Sequence, residues 1–308
     1  MANTSSKKRL NKHEMSDTES GDNRPEWLRG GDPEESTPIA GEMANPSSVA
    51  SAQSASGEHW LLRFQHRAGV LSHILALIAV CVVSVWVSDE AMGGGGVSWS
   101  EGDAKRVFNW HPVMMIVSFA FMTVSSLTFF MRWRSVDRKV NKTLHVVQWT
   151  IAAICASIGL VAVFKSHNDA ASGFIANLYS LHSWIGIAVI LLYVAQFLAG
   201  ALSFALTIQR ITPSTRAKVM NLHKFIGPTI YIAVAFTILL GIQEKEGFIG
   251  CSYKVDQADT FPLRHFSEIP RACRISHSLG IIIFTMALCT TFALYDFSGV
   301  PVNRPRGE

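Results

Sequence analysis

Beyond a polar beginning, the chain alternates between long apolar blocks and short polar connections. Six blocks run at about residues 68–88, 108–131, 144–164, 178–206, 222–242 and 277–297. Each approaches or exceeds the ~20 residues that carry a helix across a hydrocarbon core. Their interiors hold no Asp, Glu, Lys or Arg; Lys224 and Asp296 fall inside these limits, but close to a block end. Buried helices of soluble proteins are usually shorter and keep a polar face. The pattern therefore predicts an all-α, polytopic membrane protein with six transmembrane helices over residues 59–298. Residues 1–58 are rich in Ser, Glu, Asp, Asn, Lys and Pro. Such a segment buries too little apolar surface to offset its ordering entropy, which predicts a disordered tail. No apolar stretch follows its early basic residues, so it does not read as a signal peptide. Residues 299–308 form a second short tail.

Composition agrees with this pattern, since 49% of residues are hydrophobic and only 16% charged, against about 25% charged in soluble domains. The net charge of +4 matters less than where the charges sit. The second loop holds Arg132, Arg134, Arg138, Lys139 and Lys142 against Asp137 alone, and the fourth holds Arg210, Arg216 and Lys218 with no acid. The first, third and fifth loops balance or nearly balance their charges. Cationic loops face the cytoplasm, which places the second and fourth loops and both termini there. The sequon Asn141-Lys142-Thr143 then falls on the wrong side for glycosylation. The five cysteines form no CxxC pair, so no zinc or iron–sulfur signature is present. Nothing in the charge pattern calls for a nucleic acid.

Histidines bring in the chemistry. His111, His145, His182 and His223 open four consecutive blocks. Because spans alternate in direction, His111 and His182 lie toward the non-cytoplasmic face, and His145 and His223 toward the cytoplasm. The result is two histidine pairs at two depths, on alternate helices of a central four-helix bundle. Bundles build cofactor sites from facing helices, and ionisable groups inside a membrane are functional candidates. Two imidazoles suffice for the axial positions of a haem, whereas zinc or copper usually takes three or four ligands. Ala152, Ala156, Gly159, Gly186 and Gly227 follow the histidines at helical spacing. They provide either room for a flat macrocycle or close helix packing. His73 and His277, outside the four central spans, read as ordinary structural residues.

The motifs FNWHPVMM (108–115), KTLH (142–145), GLVAVFKSHN (159–168), NLYSLHSWIG (177–186), LHKFIG (222–227) and GIQEK (241–245) resemble those of the cytochrome b561 family of ascorbate-dependent di-haem electron carriers. The match runs from about residue 93 to 246, with a di-haem core at 108–246, and the six-span layout extends it to about 297. The resemblance implies two b-type haems, one held by His111 and His182 and one by His145 and His223, and electron transfer from cytoplasmic ascorbate to monodehydroascorbate or ferric iron across the bilayer. It implies that Lys142, Arg138 and Arg216 bind ascorbate and that Arg132 and Arg138 border the inner haem, although Arg132 stands one position later than the family's arginine. It places Asn177, Leu178, Tyr179, Ser180 and Glu244 around the outer haem and His167 at the outer substrate. The host membrane would be an endomembrane vesicle, a lysosome or the plasma membrane, and a homodimer is left open. The alternative from the residues alone is a haem-free metal or proton transporter that uses its membrane histidines. Cys251 and Cys273 share the fifth loop, placed outside the cytoplasm where disulfides persist, and are a candidate bridge; Cys81, Cys155 and Cys289 fall within spans and should stay free.

Overall fold

The computed structural model describes residues 46–90, 95–130, 137–205, 212–249, 251 and 269–295. The chain divides into the units Met1–Val49 and Ala50–Glu308, and the second carries everything discussed below. Residues 1–45 of the expected tail, and the tail at 299–308, lie outside the described residues.

All described regular structure is helical: α1 (Pro46–Ser88), α2 (Ala104–Phe108), α3 (Trp110–Phe130), α4 (Arg138–His167), α5 (Leu181–Gly200), a π turn at Ala201–Ala205, α6 (Pro213–Phe248) and α7 (Arg271–Leu294). Six helical stretches are long and apolar enough to cross a membrane, with α2 and α3 together supplying the second. The first helix starts at Pro46, inside the segment 1–58 expected to be disordered. No proline follows Pro46 in the stretch SSVASAQSASGEH, so nothing there interrupts the helix.

Local chemistry sets the helix starts. Asp137 accepts from the Lys139 amide at 3.1 Å to cap α4. Ser180 and Ser183 form a reciprocal capping box at α5. Thr212 caps α6 by accepting from the Thr215 amide at 3.3 Å, and Pro213 occupies the first turn, where no amide is needed. The fourth span thus begins at Leu181 and not at residue 178, because Ser180 is spent as the cap. The second span is broken at Asn109. That side chain is buried and donates to the Gly96 carbonyl at 2.6 Å, so it ties down the preceding loop.

The exterior is apolar. Leu77, Leu191 and Ile281 are each about two-thirds exposed (68%, 65% and 67%), a display that suits lipid and not water. Some polar groups turn inward and pair: Thr123 bonds the Tyr231 hydroxyl at 2.8 Å, and Tyr231 donates to Thr290 at 3.1 Å. Helices pack most closely within two hairpins, α3–α4 and α5–α6, while α7 closes on α6 and α3. Between the hairpins, contact runs through aromatic side chains. Tyr231 stacks on Phe119 with centroids 4.8 Å apart, and Tyr193 stacks on Trp149 at 5.4 Å and donates to its carbonyl at 2.7 Å. Cys251 and Cys273 are bonded, joining the end of α6 to the start of α7, while Cys81, Cys155 and Cys289 are free.

Candidate functional site

We call the bundle end bearing His111 and His182 upper and the opposite end lower. At the upper end, the two imidazole rings stand 6.1 Å apart, centroid to centroid, with planes at 82°. His111 Nδ1 lies 3.1 Å from the Gly159 carbonyl, and His182 Nδ1 lies 3.0 Å from the Thr237 carbonyl. A carbonyl oxygen only accepts, so each Nδ1 carries the proton and each Nε2 keeps its lone pair. This is the arrangement in which a neighbouring carbonyl fixes a metal-ligating histidine. An imidazole nitrogen binds a first-row metal such as zinc at about 2 Å. Two rings sharing one such ion therefore stand roughly 6 Å apart between centres, which matches this pair.

Both rings line one cavity of about 1040 Å³, at the upper limit of small-molecule and cofactor sites. His167, Asn177, Leu178, Tyr179, Ser180 and Glu244 line the same cavity, so the structure gathers every residue expected at the outer site. Glu244 accepts from the Tyr179 hydroxyl at 2.6 Å and from the Ser180 hydroxyl at 2.9 Å. Partial burial, and then the accepting Glu244 carboxylate, push the Tyr179 phenol above its ordinary value, so it stays a donor at neutral pH. The His167 ring lies 6.2 Å from the Tyr179 ring. Asn177 donates to Asn168 at 3.2 Å. Leu178 turns the chain with φ of 56°, a conformation a branched aliphatic residue rarely adopts. Beneath this segment, Asp169 accepts from the Gly102 amide at 2.9 Å and from the Ser172 hydroxyl at 2.9 Å. These bonds, the Ser172 hydroxyl first, hold its carboxyl below the usual range.

The lower end carries His145 on α4 and His223 on α6. His145 Nδ1 meets the Ser125 hydroxyl at 3.0 Å. The His223 Nδ1 is buried with no hydrogen-bond partner among the described residues. Lys142 donates to the Phe204 carbonyl in the π turn, and the Phe204 ring stands edge-on to His223 at 5.9 Å. Arg216 has its Nε buried without a partner among the described residues. Arg138 opens α4, but its side chain, like all of Arg132, lies outside the described residues.

By spacing alone, the glycines after the histidines could either make room for a macrocycle or pack helices. Gly159 is tightly packed, whereas Gly186 and Gly227 meet their neighbours at ordinary contact distance and Gly186 also lines the upper cavity. A Cβ on Gly159 would meet Met115 Cε at 3.2 Å and the His111 carbonyl at 3.4 Å; on Gly186 it would meet Thr237, and on Gly227 it would meet Gln196, both at 3.6 Å. The glycines that accommodate the histidines are two others, which helical spacing from a histidine does not mark. A Cβ on Gly241 would stand 2.7 Å from His182 Cε1, and one on Gly200 would stand 3.0 Å from His223 Cε1. The arrangement is reciprocal. His182 and Gly200 share a helix, as do His223 and Gly241, with the same eighteen-residue step from histidine to glycine on each. In the other hairpin, Ser125 follows His111 by fourteen residues and Gly159 follows His145 by fourteen. Spacing along one helix does not reveal such partners, because they lie on the opposite, antiparallel arm of the hairpin. His73 bonds the Gly69 carbonyl one turn back at 2.8 Å, and His277 lies 3.5 Å from Glu246.

Fold and site together define a polytopic helical membrane protein whose bundle holds two histidine pairs, one toward each end. Residues 110–249 match the model of the eukaryotic cytochrome b561 family. The chain is 32% identical over 235 residues to the transmembrane ascorbate-dependent reductase of Bos taurus, covering 76% of this chain and 82% of that protein. It is 33% identical over 181 residues to ascorbate-specific transmembrane electron transporter 2 of Zea mays, covering 59% of this chain and 73% of that one. It is 34% identical over 178 residues to the plasma membrane ascorbate-dependent reductase of Rattus norvegicus, covering 57% of this chain and 59% of that one. This protein belongs to the eukaryotic cytochrome b561 family.

Proposed function

We propose that this protein carries electrons across its membrane from ascorbate at the lower, cytoplasmic end to monodehydroascorbate or ferric iron at the upper end, using two b-type haems. The observation that carries the reading is the upper histidine pair: two rings at bis-imidazole spacing, each with Nδ1 held by a backbone carbonyl, on one large cavity. His111 and His182 would hold one haem, and His145 and His223 the other. Haem, when bound, supplies a one-electron couple that the apolar bundle insulates from water. The chain's own residues do the rest. Carbonyls and Ser125 orient the imidazoles, and Tyr193 and Trp149 bridge the hairpins between the two ends. At the lower end, Arg216 and Lys142, with Arg138, attract the ascorbate anion through charge-assisted hydrogen bonds. The relatives' names support the donor, and the cationic second and fourth loops support the orientation. Against the haem-free metal transporter stands the donor set: among the described residues no group of three or more His, Cys, Asp or Glu could hold a metal ion.

Haem analysis of the purified protein tests this directly. Two haems per chain, reducible by ascorbate, are expected. His111→Ala or His182→Ala should remove one haem, and His145→Ala or His223→Ala the other. A stoichiometry of one, or equal loss of both haems from every folded variant, overturns the pairing.

A further inference from the structure

We propose that Arg63 and Arg67, with Trp60, form a binding site on the outer face of α1 for the anionic headgroup of a phospholipid in the lower leaflet. The inference stands apart from the haems and from the electron they carry. α1 has one inward and one outward face. Ala68, Ser72, Ala76, Ala79 and Val83 recur at helical spacing and are buried. Trp60, Arg63, Arg67, Leu71, Ile74 and Ile78 recur at the same spacing and are exposed. Residues three, four or seven apart share a helix face. The two arginines therefore continue the stripe that Leu71, Ile74 and Ile78 present to lipid. The other side of the same turn is tied to the bundle, where Gln65 donates to the Tyr295 carbonyl at 2.7 Å, just past the end of α7. That bond keeps the arginine face outward.

Depth selects the ligand. From Arg67 to Val87 the helix rises about 30 Å, the thickness of a hydrocarbon core. Arg67 therefore stands at the lower boundary of that core, and Arg63 one turn beyond it, at the level of lipid phosphates. Trp60, 57% exposed, lies a further turn out, and an amphipathic indole suits the headgroup layer. Among the described residues neither arginine makes an ion pair. Two other cations of the lower end are committed to the protein: Lys142 donates to the Phe204 carbonyl, and the Nε of Arg216 is buried. Arg63 and Arg67 face lipid instead. A guanidinium fork fits two oxygens of one phosphate. Anionic lipids also enrich the cytoplasmic leaflet, the side to which the cationic loops assign this end. The ligand that fits is a phospholipid of net negative charge, such as phosphatidylserine or phosphatidylglycerol. Phosphatidylcholine carries its own cation, which the two arginines repel.

The test places the full chain in nanodiscs of phosphatidylcholine with a minor share of phosphatidylserine or phosphatidylglycerol. Native mass spectrometry of the released protein then counts the lipids it retains. The wild type should hold either anionic lipid about tenfold above its share of the bilayer, and added salt should weaken the enrichment. Arg63→Gln/Arg67→Gln should bring retention down to the bulk share. Lys139→Gln/Lys218→Gln, which removes the same charge from exposed lysines of the lower end, should leave it intact. Arg63→Lys/Arg67→Lys should keep most of it, which separates lost charge from lost folding. No enrichment in the wild type overturns the proposal and leaves the arginines to acids such as Glu34 and Glu35 of the chain's own beginning, or to a second copy. Equal loss from the arginine and lysine double variants overturns it as well, because the lower face would then act as diffuse charge. So does displacement of the lipid by soluble glycerophosphoserine at an equal concentration, because the site would then take a free phosphate ester. Lipid retention needs no electron, so protein that ascorbate cannot reduce would defeat the functional reading and leave this one standing.

Discussion

A methyl group on Gly241 would stand 2.7 Å from His182 Cε1 and 3.1 Å from Nδ1. Neither the ring nor the helix backbone can yield that distance cheaply, because the ring is anchored through Nδ1 to Thr237. Overpacking of this kind costs about 1–3 kcal/mol, and here the strain falls on a ligand. Gly241→Ala should therefore lose the upper haem and keep the lower one, while Gly247→Ala, with open space beside it, should keep both. Haem content per chain measures the difference, and a fully loaded Gly241→Ala protein would refute the steric reading. The histidines themselves are legible in the sequence, since ordinary packing gives no reason for four ionisable side chains to open four apolar blocks. Their glycine, serine and carbonyl partners are not. Each lies on the neighbouring antiparallel helix, at a sequence distance set by loop length and helix pairing, which no single-helix periodicity encodes.

At the scale of elements, the six spans are legible in number and nearly so in extent. Hydropathy marks the apolar middle of a helix but not the polar turns that extend it. α6 therefore begins at Pro213, well before residue 222, and ends at Phe248, beyond residue 242. The caps Asp137, Ser180 and Thr212 settle three of the starts. The bridge between Cys251 and Cys273, with a sequence separation of 22, joins α6 to α7 through a long connection. Closing such a loop contributes about 3 kcal/mol in the chain-entropy model. Replacing both cysteines by serine should lower the thermal midpoint while leaving the haem spectrum and ascorbate reduction unchanged, because neither cysteine lines the upper cavity. A shift in the haem bands of that variant would show that the bridge also shapes the upper site.

For the molecule as a whole, the two ends differ in chemistry although they share a plan. The upper end is a large cavity lined by Glu244 and by Lys105 and Lys245; the lower end presents Lys142 on a backbone carbonyl and Arg216, whose Nε is buried without a partner among the described residues. A charge-assisted hydrogen bond contributes about 1.5–3 kcal/mol, so Arg216→Ala should slow reduction by ascorbate roughly tenfold or more. A neutral reductant of similar size should be affected much less, and stopped-flow reduction separates the two. Equal slowing would assign Arg216 to tuning the haem site and not to binding the donor.

The matching eighteen-residue steps in α5 and α6 have a mechanical consequence. A slide of one helix along the other by a single turn, about 5.4 Å, would withdraw Gly241 from His182 and Gly200 from His223 in the same movement. The pairing acts like one key cut to open two locks: neither site can drift without the other. An extra residue inserted between His182 and Gly200 makes the two steps unequal, so the hairpin can then stay in register at one end of the bundle and not at the other.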